Sequence, residues 1–238
     1  MPQDLSDAVS TSLDSDIALI RFDDGKANAL SFDVIAAIAG GLADAASSAK
    51  AAVVIGREGK FSAGFDLSVM TGGSPDAARD LLAAGARLGL QIYTSPIPVV
   101  LGVTGHALAM GGILLTCADY RVGAAGPYKL GLNEVRIGMP VPAFGVELCR
   151  DRLRKKWFTR CIQHAHICDP DEALDAGFID EVVAPDAVEA RCLEVAGELA
   201  ATVHPGPFRM TRNTIRGKLA DELEAGLVED LKLFDISP

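Results

Sequence analysis

The sequence has few aromatic residues and no excess of positive charge. Phe, Trp and Tyr make up 5% of its 238 residues, and the formal net charge at pH 7 is −10. Because an acidic chain repels phosphate backbones and anionic lipid surfaces, we expect neither nucleic acid nor a membrane as a partner. A small anionic ligand stays compatible with this charge, since a few local Lys or Arg side chains suffice to bind it.

Long apolar runs and paired cysteines are also missing. No stretch of 18 apolar residues appears, so the sequence predicts no transmembrane helix. Residues 1–5 lack the basic and apolar regions of a signal peptide. The five cysteines are odd in number and contain no C-x-x-C pair. We therefore expect reduced thiols in a cytoplasmic protein.

Common nucleotide-binding and hydrolase motifs are absent as well. Gly59-Lys60 is followed by Phe61 rather than by Ser or Thr, and no G-x-G-x-x-G follows a predicted strand. Ser62 does not lie within G-x-S-x-G. These absences argue against a phosphate-loop NTPase, a dinucleotide-binding enzyme and a serine hydrolase.

Hydrophobic periodicity predicts an α/β protein. Ser31 is a candidate helix N-cap, because Val34, Ile35, Ile38 and Leu42 follow it at helical spacing. Strands and helices alternate first, and from about residue 143 the pattern predicts helices only. This order favours a parallel sheet followed by a helical tail, with a boundary near residue 180. The predicted strands are 17–22, 51–55, 99–103 and 120–122, the further helices are 76–93 and 110–118, and residues 1–14 are a polar lead-in.

Two segments of small residues are candidates for chemistry. Ala63-Gly64 follows a strand and a charged turn, and residues 109–112 follow a strand and open a buried helix. Unpaired N–H groups at a helix start stabilise a developing oxyanion, and the helix dipole adds to this effect. The alternative, which the residues alone favour, is that Gly and Ala only allow close packing of strand and helix.

The same segments resemble the oxyanion-hole segments of the crotonase (enoyl-CoA hydratase/isomerase) family. Residues 60–67 read KFSAGFDL and match the family pattern F-(S/C/A)-A-G-x-D-(L/I) in full. Residues 105–112 read GHALAMGG and resemble G-x-A-x-G-(G/A)-G, with Asp119 at the expected 14 residues after Gly105. Asn28-Ala29-Leu30 matches a further N-A-L segment. Ala109 and Met110 depart from the pattern, since they stand where glycine is common.

The resemblance implies a fold, an assembly and a ligand. The expected fold is a crotonase-like (ClpP/crotonase) ββα spiral over residues 1–180, followed by a shortened helical trimerisation region over residues 181–238. It implies a homotrimer or homohexamer that acts on an acyl-CoA thioester. No metal or redox cofactor is implied, because CoA is part of the substrate. The residues expected to contact CoA are Lys26, Ala27, Ala63, Asp66 and Leu67.

Catalytic roles also follow from the resemblance. The backbone N–H groups of Phe65 and Met110 would hold the thioester oxygen. Family hydratases use two glutamates, of which Glu134 is present, four residues before Gly138, whereas Ile113 replaces the other. A dry pocket lined by Ile113 would raise the pKa of Glu134.

One base suffices to move a proton between carbons, so we predict a Δ3,Δ2-enoyl-CoA isomerase. A dienoyl isomerase is disfavoured, because Pro142 stands where that subgroup has an aspartate. Hydration of 2-enoyl-CoA is the alternative, with water held by Glu134 alone or by another residue such as His106 or Glu147. A non-catalytic CoA-binding scaffold is a second alternative.

Residues 161–168, CIQHAHIC, suggest a metal site at first sight. In a continuous helix, however, His164 and His166 would face opposite sides, and no second ligand pair of zinc type follows. We therefore predict packed thiols and exposed imidazoles here, and no metal.

Overall fold

The computed structural model describes residues 8–72 and 74–232. The described strands are β1 (Val9–Asp14), β2 (Ile17–Phe22), β3 (Ala29–Leu30), β4 (Ala51–Ile55), β5 (Gly59–Ser62), β6 (Gly64–Phe65), β7 (Val99–Val103), β8 (Gly105–Leu108), β9 (Tyr120–Ala124), β10 (Leu130–Gly131) and β11 (Glu181–Val183). The described α-helices are α1 (Phe32–Ser48), α2 (Leu67–Gly72), α3 (Pro75–Tyr93), α4 (Met110–Cys117), α5 (Ala143–Arg152), α6 (Lys155–Ile162), α7 (Pro170–Ala176), α8 (Val188–Thr202), α9 (Pro205–Arg212) and α10 (Lys218–Lys232).

Six strands form the main sheet, in the order β1-β2-β4-β7-β9-β11. β1 runs antiparallel to β2, and the other neighbours are parallel. Alternate residues of each strand point to opposite faces. Val53, Val100 and Val122 pack against α8, whereas Val54 and Leu101 pack with α1 and α3 on the other face. Since α8 follows residue 180, the later part of the chain covers one face of the same sheet.

Most predicted elements are confirmed, and their ends have identifiable causes. Ser31 caps α1 by accepting a hydrogen bond from Val34 N–H, and Ser74 caps α3 in the same way from Ala77 N–H. Every residue of α4 is buried, as expected of a helix that is apolar on all sides.

Two expectations about secondary structure are wrong. Residues 9–14 of the presumed lead-in form β1, while residues 1–7 lie outside the described residues. Beyond the first residue β1 is exposed, so its polar composition resembles that of a loop. It pairs with β2 through a two-residue turn in which Ser15 and Asp16 have φ values of 48° and 69°. That geometry suits a tight hairpin, but the usual Asn-Gly signal is missing.

The second error concerns residues beyond 143, which are not all helical. Residues 181–183 form β11, which pairs in parallel with β9. A strand of three residues is too short for periodicity to reveal. Its place at the edge of the sheet comes from tertiary pairing.

Two smaller sheets lie beside the main one. β10, β8 and β5 form a three-stranded sheet in that order, and β3 pairs in parallel with β6. Their carboxyl ends carry both segments of small residues. Within the described residues, no helix combines the length and the apolarity that crossing a bilayer requires.

The last helices fold back onto the rest of the chain. Asp119 Oδ1 forms ion pairs with Arg212 Nη2 at 2.5 Å and Arg216 Nη1 at 3.4 Å. Asp230 on α10 accepts hydrogen bonds from the N–H groups of Ala143 and Phe144 and so caps α5. The C-terminal helices therefore hold the segment that follows Glu134.

Candidate functional site

The first segment of small residues lies in the short parallel pair of β3 and β6. Ala29 is opposite Gly64 and Leu30 is opposite Phe65. The Asp66 N–H donates to the Leu30 carbonyl at 3.2 Å. Because successive N–H groups of an extended chain point to opposite sides, the Phe65 N–H points away from β3.

The second segment forms the turn from β8 into α4. Ala109 has φ 51° and ψ −125°, a region in which residues other than glycine are rare and strained. Its N–H donates to the Gly131 carbonyl at 3.0 Å. α4 begins at the next residue without a side-chain cap. The Met110 N–H therefore belongs to the first turn, where N–H groups have no partner within the helix.

Gly64 lies where the two segments meet. A Cβ atom at this position would be 2.8 Å from Ala109 Cβ and 3.4 Å from Met110 N. Gly64 also has φ +96°, which residues with a side chain rarely adopt. Glycine is thus required here, and the Phe65 and Met110 backbones come together around it.

The side chains of both donor residues pack against α3. A Cβ atom at Gly85 would lie 2.4 Å from Phe65 Cε1 and 3.5 Å from Met110 Cγ, and one at Gly89 would lie 3.7 Å from Met110 Cε. Met110 is buried. The small residues of α3 therefore accommodate the bulky Met110 side chain at a position where glycine is common. Because this side chain packs against α3, it leaves the Met110 backbone N–H available as a donor.

Glu134 is buried and has a free oxygen. It begins a 3-10 turn, Glu134–Ile137, which Gly138 ends with φ 83°. Glu134 is 8% exposed, and its Oε2 has no hydrogen-bond partner within the part of the chain that the structure describes. Burial raises the pKa of Glu134 to about 7, against the opposing effect of the N–H groups of Glu134 and Asn133. This is the direction expected for a dry pocket, and it suits a group that accepts and returns a proton near neutral pH.

Ile113, Glu147 and His106, the other side chains considered for the reaction, contact other parts of the protein. Ile113 is buried, and a Cβ atom at Gly145 would lie 2.7 Å from its Cδ1, so this side chain is wedged between α4 and α5. Glu147 is paired with Arg150 on the outer side of α5. His106 Nδ1 accepts a hydrogen bond from Lys129 N–H at 3.0 Å, and burial together with Lys129 and Lys60 lowers the pKa of His106.

The five residues expected to contact CoA form one strip that leads to Phe65. The Ala63 N–H donates to the Ala27 carbonyl at 3.1 Å, which places Ala27, the residue after Lys26, beside Ala63. Lys26, Ala63 and Leu67 are exposed, and Leu67 is 70% exposed. The Asp66 carboxylate accepts hydrogen bonds from Ser68 N–H and Oγ, so its side chain shapes the start of α2.

Sequence reasoning missed the role of the Asn28 side chain, which joins the elements around this strip. Asn28 is buried with φ 53°. Its Nδ2 donates to the Phe22 and Phe61 carbonyls at 2.9 and 3.2 Å, and its Oδ1 accepts from Asp24 N–H. Its carbonyl accepts from Ser62 Oγ. The N-A-L match identified the position. No local sequence pattern, however, predicts hydrogen bonds from the Asn28 side chain to strand carbonyls that are 6 and 33 residues away in the sequence.

Comparisons with known proteins identify relatives of this chain. The family model described as enoyl-CoA hydratase/isomerase matches residues 12–237. Mitochondrial enoyl-CoA delta isomerase 1 of Mus musculus is 32% identical over 177 residues, which cover 74% of this chain and 61% of that protein. The chain thus spans about three fifths of the length of this curated relative.

The chain covers a larger share of the solved structures that it resembles. An enoyl-CoA hydratase/isomerase family protein from Pseudomonas syringae superposes with TM-score 0.92 at 40% identity, covering 96% of this chain and 98% of that one. The human mitochondrial delta3-delta2-enoyl-CoA isomerase superposes with TM-score 0.90 at 26% identity, covering 95% and 90%. The predicted crotonase-like fold is confirmed. With the family model matching nearly the whole chain, this protein belongs to the enoyl-CoA hydratase/isomerase family.

Proposed function

We propose that this protein is a Δ3,Δ2-enoyl-CoA isomerase in which Glu134 carries the proton. The observation that carries the proposal is Glu134, the one buried carboxylate with an unpartnered oxygen among the described residues, on the segment that leaves β10 next to the turn at Ala109. Ile113 occupies the position at which family hydratases have their other glutamate. The similarity to proteins named as enoyl-CoA isomerases supports the same activity.

The proposed reaction moves one proton and one double bond. The Phe65 and Met110 N–H groups donate to the thioester oxygen, and Glu134 Oε2 removes a proton from C2 of a 3-enoyl thioester. The C2–H electron pair forms a dienolate, whose negative charge lies on the oxygen between the two donors. Glu134 then returns the proton to C4, and the double bond forms between C2 and C3. Atoms and charge balance, and nothing is oxidised or reduced overall, so this step needs no redox cofactor.

Hydration is disfavoured because it requires a held and polarised water. Ile113 can neither accept a hydrogen bond from water nor take its proton. Glu147 is engaged by Arg150, and His106 accepts from the Lys129 backbone. A crotonyl-CoA hydratase is 31% identical over 140 residues, so hydration is the activity against which isomerisation has to be measured.

We expect the isomerisation of a 3-enoyl-CoA to be faster than the hydration of the 2-enoyl-CoA of equal chain length. The two rates should be measured on one preparation, by following the absorbance of the conjugated thioester in both directions. Faster hydration would show that Glu134 alone can hold a water. Turnover no higher than in a Glu134→Gln preparation would favour the non-catalytic scaffold.

The rate of isomerisation should depend on pH with an apparent pKa of about 7. Glu134 must be deprotonated to accept the C2 proton, so kcat/KM should rise tenfold per pH unit below pH 7 and level off above it. Glu147→Gln, which alters an exposed carboxylate of α5, should leave the profile unchanged. An inflection near pH 4.5, the ordinary value for a glutamate, would mean that burial does not control the base.

We also propose the finer features implied by the family. The strip formed by Lys26, Ala27, Ala63, Asp66 and Leu67 would contact the CoA portion of the substrate. Residues 181–238 would take part in trimerisation, and the protein would work in the cytoplasm. The contacts of Asp119 and Asp230 show that α9 and α10 also pack on their own chain.

A trimer or hexamer is therefore expected in solution. Light scattering coupled to size exclusion should give three or six times the mass of one chain at working concentration. A mass that stays at that of one chain over a hundredfold range of concentration would contradict this assembly.

A further inference from the structure

A cluster of candidate metal ligands lies on the side of β10 away from β8. α6 ends at Ile162, so the chain is no longer helical at His164 and His166. It returns to β10, where Cys168 and Leu130 exchange two backbone hydrogen bonds of 2.9 Å. His164 and His166 therefore do not lie on a continuous helix, so the expectation that they face opposite sides of one is wrong.

Three chemically different side chains meet as a result. One ligand atom each from His166, Cys168 and Glu172 lies within 4.8 Å of the other two. His166 Nε2 is 2.8 Å from Glu172 Oε2. Glu172 comes from the first turn of α7, where Asp169 caps the helix by accepting from Glu172 N–H. The cluster thus combines two residues from the segment between α6 and α7 with one residue from the first turn of α7.

We propose that His166 Nε2, Cys168 Sγ and Glu172 Oε2 bind a divalent transition-metal ion such as Zn²⁺. Imidazole nitrogen, thiolate sulfur and carboxylate oxygen are the three ligand types that zinc takes in proteins. Three protein ligands leave one position of a tetrahedron for water.

The ligand atoms, which lie within 4.8 Å of one another, have to move to reach tetrahedral spacing. Metal–ligand bonds of about 2.0–2.3 Å place the ligand atoms of a tetrahedral site roughly 3.3–3.8 Å apart. His166 and Glu172 therefore have to separate slightly, and their side chains are 27% and 34% exposed, which leaves them room to do so. Cys168 closes the inner side of the site, since it is buried. The metal would enter from the surface and displace the thiol proton.

Cys161 and Arg160 surround these ligands. Cys161 Sγ lies 3.8 Å from Cys168 Sγ, a distance at which its S–H can donate to a metal-bound thiolate. Arg160 Nη2 is 3.5 Å from His166 Nε2, and it is 3.9 Å from Glu172 Oε1. Its guanidinium also stacks on Trp157 at 4.5 Å. This positive charge opposes a cation at the site, so its removal should strengthen binding.

The cluster is joined to the oxyanion turn by backbone hydrogen bonds. Cys168 pairs with Leu130, the next residue Gly131 accepts from Ala109 N–H, and Ala109 precedes Met110. A metal bound to Cys168 would therefore stabilise the strand on which this turn rests.

The test is a titration of the metal-free full chain with Co²⁺, which reports its ligands by absorption. We expect visible d–d bands of a tetrahedral ion and a near-ultraviolet thiolate-to-cobalt charge-transfer band, both abolished by added Zn²⁺. Cys168→Ser should lose the charge-transfer band. His166→Gln should weaken Co²⁺ binding by more than the roughly 10–100-fold that loss of an outer-shell partner costs.

Matched variants keep the proposal falsifiable. His164→Gln changes the neighbouring imidazole, which lies outside the cluster, and should bind Co²⁺ as the unaltered protein does. Arg160→Gln should bind it more tightly. His166→Gln alters a partly exposed side chain, so circular dichroism should report an intact fold. The proposal is overturned if the unaltered protein gives no thiolate-to-cobalt band, or if Cys168→Ser or His166→Gln binds Co²⁺ as tightly as His164→Gln does.

Discussion

Glu134→Gln is expected to lower the rate of 3-enoyl-CoA isomerisation by about a hundredfold or more, the usual effect of losing a general base. Glutamine keeps the shape of the side chain but cannot accept the C2 proton. The loss should appear in kcat, while KM changes little, because the Phe65 and Met110 N–H groups still hold the thioester. Steady-state kinetics on a 3-enoyl-CoA measures both.

The same substitution should stabilise the fold at alkaline pH. Burial raises the pKa of Glu134 from 4.5 to about 7, so the folded state binds the proton more tightly than the unfolded state. The stability of the unaltered protein therefore falls as the pH rises from 4.5 to 7 and stays lower above pH 7. The shift corresponds to about 3 kcal/mol, and the Gln variant avoids this cost.

Denaturant unfolding at pH 5 and pH 8 would measure this difference, with Glu147→Gln as the control that changes neither rate nor stability. A Glu134→Gln variant that isomerises normally would refute the single-base mechanism. A variant that is less active only because it unfolds would show a lower stability at both pH values, opposite to the expected change.

Asp119→Ala is expected to destabilise the protein by about 3–5 kcal/mol, the cost of breaking a buried ion pair on one side. Asp119 Oδ1 pairs with Arg212 and Arg216, and Oδ2 accepts the Val99 N–H at 2.8 Å. The Arg212 side chain is 5% exposed, so the substitution leaves its charge buried without its carboxylate. Equilibrium unfolding in urea gives the change in the free energy of unfolding.

A surface ion pair provides the matched control. Glu224 pairs with Arg87 across α10 and α3, and both side chains are about half exposed. Glu224→Ala should cost less than about 1 kcal/mol, because solvent screens such pairs. If Asp119→Ala costs no more than Glu224→Ala, the Asp119 pair does not hold the C-terminal helices on the sheet, and hydrophobic packing of α10 is sufficient.

The main strands and helices could be predicted because their signals are local. The apolar run of residues 51–55 and the spacing of residues after Ser31 reflect which faces are buried. The exposed hairpin strand β1 could not be predicted in this way, since its polar side chains face solvent on both sides. Neither could β11, because only its pairing with β9 makes three residues a strand.

The features of the candidate site can likewise be separated into those set by local sequence and those set by tertiary packing. The sequence by itself determined which groups are available: a glycine before Phe65, a helix start at Met110, and one glutamate where family hydratases have two. Only the tertiary structure decided that Gly64 brings the two backbones together and that burial raises the pKa of Glu134. It also decided that Asp119 meets Arg212, and that His166, Cys168 and Glu172 share one cluster. The physical reason is that residue identity and short-range spacing are properties of the chain, whereas burial, the local dielectric and contacts between distant residues exist only after the elements have packed.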